Sequence, residues 1–249
     1  MGKNIAIAAS KGGTGKTTTA WNLSFGLALA GAKVLLVDCD PQDNLRMIAG
    51  TERSEENTLA AALESGKVKP VELRESVSLL PSGGFRLGEI VAAANGLRSV
   101  TTKLKKAIGG DYDFVVMDCP PELGRTTSLA LSVSDYVLIP CKCTWLSLQS
   151  IEQMIEFLDA HDKFQSGGEH ERSGVVLTFF TTAKKGPAEV KLDAKRVFKN
   201  RLLKTVIRER VEIDYSQQKH KAIFESSKNS EAADDYSALA KEVIKRLKD

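Results

Sequence analysis

The chain has 249 residues, with 35 Lys+Arg against 32 Asp+Glu for a formal charge of +3, and is 42% apolar and 27% charged. That mix excludes a disordered chain or a coiled coil. No run approaches the ~18–20 consecutive apolar residues of a bilayer span and no secretory pattern opens the chain, so a cytoplasmic protein folded as one large domain, 1–249, is expected.

Ile5–Ala9 reads as a short apolar strand, followed by a glycine-rich segment and a helical stretch, Thr17–Ala30, that Gly31 ends. Lys33–Val37 is a second apolar run, and the polar, proline-bearing Asp38–Asn44 follows as at a strand's carboxyl end. Further β-type runs fall at Val77–Leu80, Phe114–Met117, Tyr136–Ile139 and Gly174–Phe180, separated by helical stretches at Leu87–Ile108, Arg125–Ser132 and Leu146–Lys163. Strands that alternate with helices and are apolar on both faces imply a doubly wound, mostly parallel α/β sheet with helices on both faces. Gln165–Arg172 reads as a surface loop, and Ala232–Lys248 closes the chain as an amphipathic helix with Leu239, Ala240, Val243, Ile244 and Leu247 on one stripe. Cys39, Cys119, Cys141 and Cys143 contain no Cys-x-x-Cys pair and read as buried free thiols. His161, His170 and His220 form no ligand spacing.

Between the first strand and first helix lies Lys11-Gly12-Gly13-Thr14-Gly15-Lys16-Thr17-Thr18. The glycines let the backbone turn tightly and aim N–H groups at phosphate oxygens, and the helix that begins near Lys16 adds its positive end. Lys16 is placed to neutralise β/γ-phosphate charge, and the Thr17 hydroxyl to hold Mg²⁺. The usual G-x-x-x-x-G-K-[ST] loop has glycine where this chain has Ser10, and it carries instead a second cation, Lys11. That ammonium is free to bond its own phosphates, to pair with an acid, or to reach across a subunit interface. Acids at the carboxyl ends of parallel strands face the crevice of an open α/β sheet. Asp38, Asp40 and Asp118 occupy such places, where carboxylates serve a Mg²⁺ shell or orient an attacking water.

On these residues the sequence resembles the deviant Walker A P-loop ATPases, with their K-G-G-x-G-K-T-[TS] loop, and in particular the ParA-type partition ATPases. Asp38-Cys39-Asp40-Pro41-Gln42 is similar to the family's D-x-D-P-Q, and Asp118-Cys119-Pro120-Pro121 to its D-x-P-P. Val137-Leu138-Ile139-Pro140 and Glu231–Val243 also resemble later family segments, so the likeness spans nearly the whole chain. It implies an ATPase that uses ATP and Mg²⁺, with the 11–18 loop binding ATP. It further implies Asp40 as the water-positioning group, Asp118 with Thr17 in the magnesium shell and Asp38 behind them. Lys11 would cross an ATP-sandwiched homodimer to the opposite nucleotide, so that hydrolysis, slow until a ParB-like or other adaptor completes the site, dissolves the dimer.

Charge is unevenly spread: residues 184–221 carry +7 and the remainder −4. A basic region on an acidic body suits an anionic polymer, and the resemblance implies DNA bound without sequence preference, on the nucleoid, through phosphate contacts. Lys199, Arg201, Lys204, Arg208, Arg210 and Lys228 are the candidates, and no N-terminal helix-turn-helix is expected ahead of the first strand. Where many relatives have I-P-x-N near the adenine, this chain has Ile207-Arg208-Glu209-Arg210. The cargo expected is a chromosome, a plasmid or another large body. Two competing classes share the loop. A MinD-like membrane positioner would use the terminal helix as a surface anchor, and an iron–sulfur-related ATPase would use Cys141-x-Cys143; no membrane partner is expected, because that stripe reads as packed on the sheet.

Overall fold

The computed structural model describes residues 2–66, 69–165, 172–181 and 185–248. The chain runs β1 (Lys3–Ile7), α1 (Lys16–Leu29), β2 (Val34–Asp38), α2 (Asn44–Ala49), α3 (Leu59–Ser65), β3 (Val71–Arg74), β4 (Val77–Leu80), α4 (Phe85–Ala93), α5 (Leu97–Ile108) and β5 (Phe114–Asp118). It continues through α6 (Arg125–Leu131), β6 (Tyr136–Lys142), α7 (Trp145–Gln165), β7 (Ser173–Phe180), α8 (Lys185–Phe198), β8 (Leu202–Arg208), α9 (Val211–Gln218), α10 (Ile223–Ser226) and α11 (Glu231–Arg246). The strands form one eight-stranded sheet in the order β3-β4-β2-β5-β1-β6-β7-β8. All neighbours pair in parallel except β3, which runs antiparallel to β4 at the edge.

The expected doubly wound sheet is therefore present, and its central strands are buried on both faces. Alternate residues divide between two apolar layers. Ala6, Leu35, Val37, Val115, Met117 and Ile139 face a layer with α3 to α8, and Ile5, Ile7, Leu36, Val116 and Leu138 face one with α1 and α11. All four cysteines are buried in the first layer, and none is in a disulfide. Gly26 of α1 allows a close crossing, since a Cβ there would lie 3.1 Å from that of Ala240 on α11. The apolar stripe of α11 is spent in this contact: Leu239, Ala240 and Val243 are fully buried. Among the described residues, no helix is long and apolar enough to cross a membrane.

Three differences from the sequence reading have local causes. The single helix expected over Leu87–Ile108 is two, α4 and α5, because the chain turns at Gly96 with φ 83, a conformation glycine takes without strain. The basic stretch after residue 200 contains an edge strand, β8, whose inward residues Leu203 and Ile207 alternate with outward charge. The short elements α2, α3 and β3 fill the polar stretch between β2 and β4. Most of the expected 165–172 loop, with His170, falls outside the described residues.

The crevice sits where the winding reverses. β1 lies between β5 and β6, the chain leaving it toward β2 on one side and later adding β6, β7 and β8 on the other. Open α/β sheets bind ligands at this point, beyond the strands' carboxyl ends.

Candidate nucleotide site

Residues 8–15 turn across the carboxyl end of β1 into α1. Gly15 caps the helix at φ 87 and, among the described residues, no side-chain cap bond closes it, which leaves the positive end of α1 open to an anion. The turn is pinned from β7, where the Thr178 hydroxyl donates to the Thr14 carbonyl at 2.8 Å. It is also pinned from α7, where the Ser10 hydroxyl donates to the Ser150 carbonyl at 2.9 Å.

The two loop lysines have different surroundings. Lys16 is buried and its ammonium donates back to the Lys11 carbonyl at 3.0 Å. Burial lowers its pKa, while Asp118 and Asp40 pull the other way. Lys11 is exposed, and its ammonium donates to the Leu146 carbonyl at 2.8 Å, on the first turn of α7. There Trp145 and Leu146 are 61% and 63% exposed.

The three expected acids come together beneath the loop, since β2 and β5 pair with Asp38 opposite Asp118. Each is employed differently. Asp38 is fully buried and uses both oxygens on backbone, accepting from the Asp40 N–H at 2.9 Å and the Leu45 N–H at 3.0 Å. Burial and the facing Asp118 push its pKa well up. It fixes the 38–45 loop. Asp40 accepts from the Gln42 N–H at 3.0 Å.

Asp118 is fully buried, and neither oxygen receives a well-aligned hydrogen bond from the described residues. Burial raises its pKa to about 7, against the lowering influence of the Thr17 hydroxyl and the Lys16 ammonium beside it. A buried carboxylate left so incompletely satisfied, next to a hydroxyl and a cation, fits a hard divalent ion that binds few protein oxygens.

A cleft opens alongside α1, lined by Gly15, Thr18, Phe179, Arg208, Glu209, Arg210, Asp214 and Tyr236 among others. It adjoins the phosphate loop through Gly15 and Thr18, as a base and ribose site would. Two of the basic candidates are thus in its wall. Arg208 donates from Nε and Nη2 to Asp235, at 3.0 and 2.7 Å, and its Nη1 lies 2.6 Å from Glu231. Arg210 is paired with Glu231. Arg201 lies 3.7 Å from Asp159, whereas Lys199, Lys204 and Lys228 are exposed. The departure at Ile207–Arg210 is legible in the sequence, but nothing there signals Phe179, Asp214 or Tyr236, which reach the cleft from separate elements.

A family model described as an AAA domain matches residues 2–166. The sporulation initiation inhibitor protein Soj of Bacillus subtilis is 32% identical over 250 residues, covering 98% of each chain. The chain belongs to the ParA-type partition ATPases of the ParA/MinD family. It is accordingly an ATP hydrolase. The chromosome partitioning protein ParA of Myxococcus xanthus is 30% identical, over 99% of this chain and 89% of its own. A crystal structure of cobyrinic acid a,c-diamide synthase from Mycobacterium smegmatis with bound ADP and magnesium superposes with a TM-score of 0.80 at 25% identity, over 100% of this chain and 96% of that one.

Proposed function

We propose that this partition ATPase is an ATP-dependent dimerisation switch that binds DNA without sequence preference and positions a chromosome, plasmid or other large cargo. An adaptor of the ParB kind would stimulate its hydrolysis. The observation that carries this reading is the separation of the two lysines. Lys16 is turned into its own loop, while Lys11 stands exposed at the mouth of the site and is held to Leu146 through one carbonyl bond. Beside it, Trp145 and Leu146 offer apolar surface of the kind an interface buries.

Within one chain, the open N-terminus of α1 and Lys16 would bind the β/γ-phosphates. Thr17 and Asp118 would hold Mg²⁺, which supplies positive charge against that accumulating on the phosphoryl oxygens. Asp40, at the crevice and tied to the Gln42 N–H, would orient the attacking water. Lys11 from a second copy would bring the additional cation that two sets of facing phosphates require. The dimer would then persist only while triphosphate is intact. The exposed Lys199, Lys204 and Lys228 would contribute to a DNA-facing surface, and DNA would place the protein on the nucleoid.

Sedimentation with ATP, ADP or no nucleotide, with and without DNA and at two salt concentrations, tests these points together. A dimer is expected with ATP alone, and DNA pelleting only with that dimer. Lys11→Ala should remain single-copy at saturating ATP and Mg²⁺; normal dimerisation in that variant refutes the sandwich role. Anionic liposomes should pellet neither form, because the stripe of α11 is buried against α1.

A further inference from the structure

Asp43 closes the loop that carries Asp40. Its backbone is left-handed, φ 56, a conformation that glycine, asparagine and aspartate adopt more readily than other residues. Its side chain is buried and engaged on both oxygens. Oδ1 accepts from the Ser82 N–H at 3.0 Å and from the Ser82 hydroxyl at 3.1 Å, and Oδ2 accepts from Arg46 Nε at 2.7 Å. Its own N–H donates to the Asp40 carbonyl at 2.9 Å.

Ser82 is itself a fixed point. It is fully buried just after β4, its carbonyl accepts from the Ala60 N–H at the start of α3 at 3.1 Å, and its hydroxyl accepts from the Gly84 N–H at 3.0 Å. Asp43 therefore joins two loops 39 residues apart in sequence, one bearing a proposed reacting group and the other built into the frame of α3 and α4.

If only the turn mattered, glycine would serve at φ 56 without strain. An aspartate there, with both oxygens met by directed donors, does more than make the turn: it ties the turn to Ser82 and to Arg46. The loop is anchored from the other side by Asp38, which holds the Asp40 and Leu45 N–H groups. Between these anchors the Gln42 N–H holds the Asp40 carboxylate. Without Asp43, Gln42 and the Asp40 side chain would be secured from the strand side only. A displacement of about 1 Å in a reacting group costs on the order of 100-fold in rate.

We propose that Asp43 is a positioning residue for ATP hydrolysis: by clamping the Asp40 loop to the β4–α4 turn through Ser82, it holds the Asp40 carboxylate where it orients water. This rests on the assignment of Asp40 given above.

The test is steady-state ATP hydrolysis by the full chain, with kcat and KM resolved, for Asp43→Gly, Asp43→Asn, Ser82→Ala and Asp40→Ala. Asp43→Gly suits the left-handed backbone and cuts the clamp; it should keep its fold and its KM and lose about tenfold or more in kcat. Asparagine also tolerates positive φ and keeps an oxygen for Ser82, so Asp43→Asn should stay within about threefold of the parent. Ser82→Ala retains the main-chain donor and should lose kcat to an intermediate degree, again at constant KM. Full kcat in Asp43→Gly, a loss confined to KM, or an asparagine variant as slow as the glycine one overturns the proposal. Should the glycine chain fail to fold, Ser82→Ala decides, and unchanged kcat there overturns it equally. Full kcat in Asp40→Ala would remove the water-positioning assignment itself. An inactive Asp40→Ala beside a fully active Asp43→Gly would remove only the role of Asp43.

Discussion

Asp118 shows how a functional demand appears as an energetic deficit. Its carboxylate is buried among Lys16, Thr17 and Asp40 without a well-formed hydrogen bond, and burial lifts its pKa to about 7. The folded chain thus binds a proton that the unfolded chain, with an ordinary carboxylate, has released. Stability contributed this way is present at low pH and is lost as pH rises through about 7. In the metal- and nucleotide-free protein, Asp118→Asn should accordingly raise stability by about 1–3 kcal/mol at pH 8 and by little below about pH 4, where the unfolded carboxylate is protonated as well. With saturating ATP and Mg²⁺ the order should reverse, because the amide is a poor ligand for a hard cation. Urea unfolding at the two pH values, with and without the ligands, checks both signs. A variant that is less stable under every condition would mean that Asp118 is already satisfied by the protein.

At the scale of elements, β8 is a strand that the sequence conceals. Lys204 and Arg208 interrupt the apolar signal, and the alternation that remains, Leu203 and Ile207 inward, is too sparse to separate from a charged helix face. What makes it a stable edge lies elsewhere in the chain. Glu242 of α11 accepts from the Lys204 N–H at 2.8 Å, the Thr205 N–H at 2.9 Å and the Thr205 hydroxyl at 2.7 Å, and Asp235 accepts from the Arg208 N–H at 2.9 Å. Carboxylates from a covering helix thus occupy edge donors that would otherwise template another strand. Burial raises the pKa of Glu242, but these donors outweigh it and hold the group below its usual range. Its contribution is present above the ordinary glutamate pKa and is lost as pH falls through the lowered value. Glu242→Ala should cost about 1–3 kcal/mol near neutral pH, a difference that shrinks toward pH 3, and should promote concentration-dependent association. Equal stability of the two chains at neutral pH would show that water replaces the carboxylate without penalty.

By contrast, β1, the loop and α1 are legible because each depends on residues adjacent in sequence: an apolar run, glycines for the turn, and helix formers after Lys16. Asp38, Asp40 and Asp118 are legible as strand-end acids for the same reason. Asp43 is not, since its meaning resides in Ser82, and the cleft wall is not, since Phe179, Asp214 and Tyr236 converge only when β7, α9 and α11 are in place.

At the scale of the molecule, the basic segment divides into two kinds of charge. Arg208 and Arg210 complete the cleft and are matched by Asp235 and Glu231, and Arg201 lies near Asp159. Lys199, Lys204 and Lys228 are exposed. Counterion release depends on cations that reach phosphate, so only the second kind should set the salt dependence of DNA binding. Replacing Lys199, Lys204 or Lys228 by alanine should weaken ATP-dependent DNA binding for every sequence alike. Each change should flatten the slope of log K against log salt by about 0.9 while leaving thermal stability within about 0.5 kcal/mol. Arg208→Ala should behave in the opposite way, costing about 1–3 kcal/mol by leaving the carboxylate of Asp235 without its guanidinium partner and changing the salt slope little. Titrations at several salt concentrations, paired with urea unfolding of each variant, separate the two kinds. If the lysine variants bound with an unaltered slope while Arg208→Ala lost about one counterion at undiminished stability, the DNA-facing surface would lie on the cleft side of β8.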